Sequence, residues 1–264
     1  SDVYKRQVLM NYMTIAYTDV GIKKHTNQDS ILLETASTDY GSVFLGVICD
    51  GMGGLAKGEV ASAALIRAFQ EWFHYDFPRI LYQGMVFEEL RQSWTQLIYE
   101  TNHKIAAYGT DLHVNLGTTV VAILMVGNVY YIINIGDSRA YMLQQELHLL
   151  TKDQTFVQRE MDCGRLTPEE AAVHPQRNVL LQCVGASNVI EPDFYTGECK
   201  ENTVFMLCSD GFRHLITPQE FYYYLNPGVL QTEADMQNTA KYLTELNMQR
   251  REVDNISVAL IRTF

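Results

Sequence analysis

The chain has 264 residues, enough to bury one large α/β core or two smaller ones. With 47% apolar and 19% charged residues, its composition is that of an ordinary globular protein in water. The formal charge is −11 and basic residues gather no more densely than in pairs such as Lys23-Lys24 and Arg250-Arg251, which argues against a nucleic-acid surface built on phosphate contacts.

Residues 1–11 read as an N-terminal extension. They begin without Met, carry no charged-then-apolar leader, and belong either to an upstream segment or to a non-native addition. Residues 12–264 read as one domain. Strands are expected at 12–18 and 30–35 around the polar turn "DVGIKKHTNQD", and a continuous apolar strand at 42–49. Apolar spacing predicts a helix over Gly58 to Phe73, with Ala61, Leu65, Ala68 and Phe69 on one side. A second helix fits Phe87 to Tyr108, with Leu90, Trp94, Leu97, Ile98 and Ile105 as its stripe. The run from Thr119 to Gly136 is broken by Gly127-Asn128, a hairpin signal and not a membrane span.

Further strands fit "AYMLQ" and "LHLL". Residues 151–185 form a polar insertion with a short helix capped by Thr167 and opened by Pro168. A strand at 202–210, a helix from about Pro218, a helix from about Ala234 to Asn247 and the final strand "ISVALIR" complete the chain. Strands and helices come in blocks, which favours an α+β fold with antiparallel sheets and segregated helices. The five cysteines show no CxxC spacing and no disulfide framework, so a reducing cytoplasm is the expected location. Cys49 and Cys208 sit in apolar runs, as small buried side chains do.

Four acids share a setting. "VICDG" and "MLCSDG" are apolar strands ending in Asp50-Gly51 and Asp210-Gly211. "YYIINIGDSR" ends in Gly136-Asp137, and Asp254 precedes the last strand. In antiparallel pairing the end of one strand lies beside the start of its neighbour, so Asp50, Asp137, Asp210 and Asp254 could meet at a single sheet edge. Each Asp-Gly alone is more often a turn. Gathered carboxylates, however, repel and shift toward neutrality unless cations hold them. Oxygen-only ligands suit Mg²⁺ or Mn²⁺, and a pair of such ions can acidify a shared water. Gly51 could turn its carbonyl toward a metal, and Gly53 and Gly54 could admit a ligand close to the backbone.

The ordered set "DVGIKKHTNQDS", "VICDGMGGLAKGEVAS", "LGTTVVAILM", "YIINIGDSRAYML", "LTKDQTFVQ", "LTPEEAAVHPQRNVLLQCVGA", "LCSDGF" and "DNISVALIR" resembles the metal-dependent type 2C (PPM family) serine/threonine protein phosphatases in their compact bacterial form. The resemblance runs from about residue 14 to the C-terminus. It implies a four-layer α-β-β-α sandwich, two antiparallel sheets flanked by helix pairs, with a metal cleft at one end.

It also implies hydrolysis of phosphoserine and phosphothreonine on proteins by in-line attack of a metal-bridging hydroxide, with two Mn²⁺ or Mg²⁺ ions and a weaker third. By this resemblance Asp50 bridges two metals and Gly51 offers its carbonyl to one. Asp210 and Asp254 bind the other, Asp137 with Asp210 holds the third, and Asp29 stands behind the metal-bound waters. Residues 151–185 correspond to the flap beside the cleft.

Three positions depart from the family pattern. Lys24 stands where an arginine usually binds the substrate phosphate; it can act as a point charge but not as a bidentate fork, or it is a solvated loop charge. Met52 replaces a histidine found in animal members, leaving protonation of the leaving group to water, with His25 nearby in sequence only. Gln28 replaces a common glutamate. Lys24 and Gln28 keep a second reading open, a pseudophosphatase that binds phosphoproteins without turnover. A nuclease-like phosphodiesterase is disfavoured by the acidic surface. The expected partners are phosphoserine and phosphothreonine proteins and a cognate serine/threonine kinase, with no nucleic acid, no membrane span and a monomeric state.

Overall fold

The computed structural model describes residues 10–39, 41–53 and 57–264. Its central β-strands are continuous apolar runs because both faces are covered. In β3 (Gly41–Gly53), Val43, Leu45, Val47 and Cys49 point to one apolar cluster, while Phe44 and Ile48 point to another. The last strand, β11 (Ile256–Thr263), repeats the pattern: Ile256, Val258 and Leu260 face one way, Ala259 and Ile261 the other. Period-two alternation with both halves apolar makes these the central strands of a layered fold.

The described residues form two antiparallel sheets. The five-stranded one runs β1 (Tyr12–Asp19), β11, β10 (Val204–Cys208), β7 (Arg139–Leu143), β8 (Leu147–Leu149). The six-stranded one runs β2 (Asp29–Thr38), β3, β5 (Val120–Val126), β6 (Val129–Ile135), β9 (Asp193–Glu198), with β4 (Leu116–Thr118) on the far end of β3. Phe44, Ile48, Val121, Ile123 and Ile132 of one sheet meet Phe205, Leu207, Ala259 and Ile261 of the other in the inter-sheet core.

Helices cover the outer faces. On the six-stranded sheet lie α1 (Gly58–Tyr75), α2 (Phe77–Tyr82) and α3 (Phe87–Leu112), where Phe69, Trp72 and Trp94 pack as a fully buried aromatic group. On the five-stranded sheet lie α7 (Pro218–Leu225) and α8 (Glu233–Gln249), through Phe221, Leu225, Met236, Ala240 and Leu243. Both start with capping boxes, Thr217 with Glu220 and Thr232 with Asp235, which satisfy exposed backbone donors. The α-β-β-α sandwich expected from the sequence is the observed one.

Several local readings shift. The strand around 42–49 continues through Asp50 to Gly53, so Asp50 lies within a strand and not at its tip. The strand at 202–210 stops at Cys208, and a one-turn helix, α6 (Asp210–Arg213), starts at the acid itself. The insertion 151–185 holds α4 (Phe156–Asp162) as well as α5 (Pro168–Ala172), which has the expected Thr167 cap. At the N-terminus, ordered packing reaches back to residue 10: Met10 is buried between the sheets, and Asn11 exchanges backbone hydrogen bonds of 2.9 and 3.0 Å with Phe264. All five cysteines are free thiols, and all but Cys163 are buried. Among the described residues no helix is long and apolar enough to cross a membrane.

Candidate metal-dependent active site

The acids meet, but not on one sheet edge. Asp29 and Asp50 pair across β2 and β3 of the six-stranded sheet. Asp210 follows β10 and Asp254 precedes β11, both in the five-stranded sheet. Asp137 lies in the crossing from β6 to β7, where the chain passes from one sheet to the other. The site is therefore the shared end of two facing sheets, and a single-edge picture misses that each sheet contributes half of the charge.

The carboxylates act on one another's charge. Asp50 is part-buried, and the packing around its carboxyl together with the charges of Asp29, Asp210, Asp137 and Asp254 pushes its pKa well above the usual carboxylate range. Burial lifts Asp29 to about 7, with Asp210 and Asp254 adding to the rise against the nearby Ser257 and Ser209 hydroxyls. Asp137 also rises to about 7, through burial and the charge of Asp210, with Arg213 opposing. Neither Asp29 oxygen meets a partner at hydrogen-bonding geometry, nor does Asp210 Oδ1. Buried polar atoms normally find partners, so these orphaned oxygens mark a place built for something else.

Among the described residues no three acid, histidine or cysteine side chains stand close enough together to enclose an ion. The outer acids instead take cationic partners. Lys24 Nζ lies 3.0 Å from Asp254 Oδ1, and His214 Nε2 lies 3.5 Å from Asp210 Oδ2. Arg213 Nη2 lies 3.4 Å from Asp137 Oδ2 and the same distance from Asp153. Burial would depress Lys24, but its hydrogen bond to Asp254 and the charges of Asp254, Asp50 and Asp210 outweigh it and raise the pKa. His214 is raised in the same way: burial opposes, while the Glu252 hydrogen bond and the Asp210 charge prevail. The donor set as a whole is carboxylate and carbonyl oxygen, partly orphaned and self-repelling, which fits hard divalent cations.

The backbone beneath is tightly fixed. The Asp50 carbonyl accepts from Thr119 N at 2.9 Å and Thr118 Oγ1 at 3.0 Å, while Asp50 N donates to Thr119 Oγ1 at 3.1 Å. Thr119 Oγ1 lies 2.8 Å from Ser138 Oγ, which ties the Asp50 strand to the Asp137 turn. Gly51 is glycine because a Cβ there would stand 2.2 Å from the Gly58 carbonyl oxygen and 2.6 Å from that of Gln28. Gly53 likewise approaches Gly58 and Asn115, so the close contact it permits is with the chain itself. Gly54 lies outside the described residues.

Sequence reasoning missed three residues that organise this site. Asn255, fully enclosed, donates to the carbonyls of Val20 (2.9 Å) and Thr26 (3.2 Å) and accepts from Gln28 N (2.9 Å), which clamps the loop bearing Lys24. Asp153 receives a two-pronged bond from Arg139 at 2.7 Å on each oxygen. Arg213 joins that pair to Asp137. Asn255 was visible only as the neighbour of Asp254, and Asp153 only as one acid in a polar insertion. His25 is exposed and contributes no described contact to the cluster, whereas Met52 is half-buried beside it in β3.

Comparison with known proteins places this geometry in a class. The family model for protein phosphatase 2C matches residues 22–247, a stretch that includes Asp29, Asp50, Asp137 and Asp210 and ends before Asp254. The chain belongs to the protein phosphatase 2C family. It is 34% identical over 250 residues to the serine/threonine protein phosphatase PstP of Mycobacterium tuberculosis, a match that covers 93% of this chain and only 44% of that protein's length. It superposes on a serine/threonine phosphatase of S. agalactiae with a TM-score of 0.82 at 30% identity, covering 96% of this chain and 99% of the other. The catalytic domain of PstP, solved with two manganese ions, superposes with a TM-score of 0.75 at 30% identity over 96% of this chain and 99% of that one.

Proposed function

We propose that this protein is a metal-dependent phosphatase that hydrolyses phosphoserine and phosphothreonine on other proteins. The observation that carries the reading is the gathering of Asp29, Asp50, Asp137, Asp210 and Asp254 at one end of a protein phosphatase 2C fold, with buried carboxylate oxygens left without partners. Asp50, the Gly51 carbonyl, Asp210 and Asp254 would hold two Mn²⁺ or Mg²⁺ ions, and Asp137 with Asp210 a weaker third. Asp29 would lie behind them. Ions held there supply positive charge for the phosphoryl oxygens and lower the pKa of bound water.

The chain's own contribution is positioning. Thr118 and Thr119 fix the Asp50 backbone, and Asn255 fixes the loop from which Lys24 extends. Lys24, beside Asp254, Asp50 and Asp210, binds a phosphoryl oxygen as a point charge. Cys49, the thiol closest in sequence to Asp50, is fully buried among the helix-facing residues, and burial pushes its pKa up. It is no nucleophile, and transfer goes directly to water with no phosphoenzyme. Met52 carries no proton, so the leaving serine or threonine oxygen is protonated by solvent.

The insertion 151–185 acts as a flap beside the cleft. Free thiols throughout fit a reducing cytoplasm, where a serine/threonine kinase would supply the substrates and the phosphatase would act as a monomer.

The test is phosphate release from a phosphothreonine peptide with Mn²⁺, after chelation, and after Mn²⁺ is restored. Asp210→Asn is expected to lower turnover by about 10²–10³-fold. If calorimetry shows Mn²⁺ bound but no phosphate is released, the pseudophosphatase reading replaces this one.

A further inference from the structure

Beside the acid cluster opens a groove of about 820 Å³. One wall is the insertion, with Val157, Met161 and Ala171. The other is formed by Leu215, from the link between α6 and α7, and Val253, from the corner between α8 and β11. Asp137 and Asp254 line it as well, so the groove is continuous with the candidate site.

Most charged groups in the groove are paired internally. Arg139 and Arg213 hold Asp153, Arg213 also reaches Asp137, His214 spans Asp210 and Glu252, and Lys24 holds Asp254. Two lining cations, Arg177 and Arg251, are exposed and make no ion pair among the described residues. They come from opposite walls.

Arg251 also occupies an unusual backbone position. It follows the C-cap of α8, Arg250, with φ 72°. Arg251 N donates to Met248 O at 3.1 Å and Glu252 N to Asn247 O at 3.0 Å, the double closure that ends many helices with a glycine. An L side chain is tolerated there at a steric cost that glycine avoids. The helix end does not need this arginine for its charge, because Arg250 already supplies a cation, bound to Glu220 and the Leu215 carbonyl. Residues held in sparsely populated backbone regions are where functional groups are to be sought.

We propose that this groove binds the polypeptide segment flanking the phosphorylated residue, and that Arg177 and Arg251 bind an acidic side chain on that segment. The proposal rests on the phosphatase reading above and adds a substrate class to it. The apolar walls take the aliphatic parts of the segment, while two free guanidiniums in a strongly acidic protein supply local charge complementarity. A carboxylate and a second phosphate share the required chemistry.

The experiment measures binding of fluorescent peptides by anisotropy in Mn²⁺, with the central phosphothreonine replaced by its non-hydrolysable phosphonate. The flanks are uncharged, glutamate-rich or phosphoserine-bearing. The wild-type protein is expected to bind one or both acidic peptides about fivefold to tenfold more tightly than the uncharged one. Arg251→Gly, which suits the backbone and keeps the fold, and Arg177→Ala should each reduce that ratio toward one. The glutamate and phosphoserine arms show which acid is preferred. Equal binding of all three peptides, or an unchanged ratio in both variants, overturns the proposal. Turnover of para-nitrophenyl phosphate, too small to reach the groove, is followed in parallel. Its absence in the wild type would sink the phosphatase reading without touching the binding ratio.

Discussion

Asp29 and Asp50 stand directly opposite each other across the β2–β3 ladder, two carboxylates on adjacent strands with their side chains on the same face of the sheet. Like charges so placed destabilise the pair, and burial adds to the cost of ionising both.

Asp29 titrates at about 7 in the fold and near the ordinary carboxylate value, about 3.9, when unfolded. The folded form therefore keeps a proton that the unfolded chain releases. The stability contributed by the Asp29 proton is full below about pH 4, falls as pH rises toward 7, and is lost once Asp29 has ionised in the fold. In chelator, Tm should decline across this window. Asp29→Asn should make the slope shallower, leaving the part that Asp50 and Asp137 contribute, and raise Tm near pH 8 by about 2–4 °C for each kcal/mol of repulsion removed. Mn²⁺ should flatten it in the unaltered protein. A level Tm profile in chelator would contradict the pairing.

Lys24 pairs with Asp254 and, on the proposed reading, offers a phosphate a point charge where a planar fork would grip two oxygens. Lys24→Arg is expected to lower KM for a phosphothreonine peptide about threefold with kcat nearly unchanged, and Lys24→Ala to raise it about tenfold. Steady-state kinetics at saturating Mn²⁺ separates the two parameters. Equal KM in all three proteins would assign Lys24 to Asp254 alone.

Asn255 makes three hydrogen bonds to the loop that carries Lys24, one of them buried and two partly so. At about 1 kcal/mol each, Asn255→Ala should cost about 3 kcal/mol of stability in urea unfolding. KM should rise with it, because a loosened loop no longer holds Lys24 in place. Lost stability with unchanged KM would make Asn255 a purely structural clamp.

Asp153 carries both prongs of Arg139 and one contact from Arg213, all largely buried. Removing it leaves Arg139 with the Tyr141 hydroxyl but no carboxylate, and Arg213 with Asp137 alone. Asp153→Ala is expected to cost about 3–5 kcal/mol, visible as a Tm lower by roughly 6–20 °C. A loss under about 1 kcal/mol would show that the network is well solvated.

Much of this protein was legible before its structure. The two-faced apolar strands, the helical stripes of Leu90 to Ile105 and the capping signal at Thr167 depend on neighbours a few residues away, and the fold keeps them. The short elements α2, α4 and β9 escaped, being one or two turns of helix or a mixed polar edge strand stabilised by the layer they rest on. The acids were legible because each stands near a strand end. Their grouping was misdrawn, because strand order and the facing of two sheets depend on contacts between residues far apart in the chain.

The sequence by itself determined which groups are on offer: carboxylate oxygens near strand ends, bare backbone beside Asp50, no proton donor at Met52, and a lysine at position 24. Local spacing is enough for that, since residue type sets what a side chain can bind. Tertiary structure alone decided how the charges are shared. It set Asp29 against Asp50, gave Asp137 to Arg213 and Asp254 to Lys24, and left Arg177 and Arg251 without an ion pair among the described residues, across a groove. Such pairings follow from distances between segments that the chain brings together only when both sheets close on their common core.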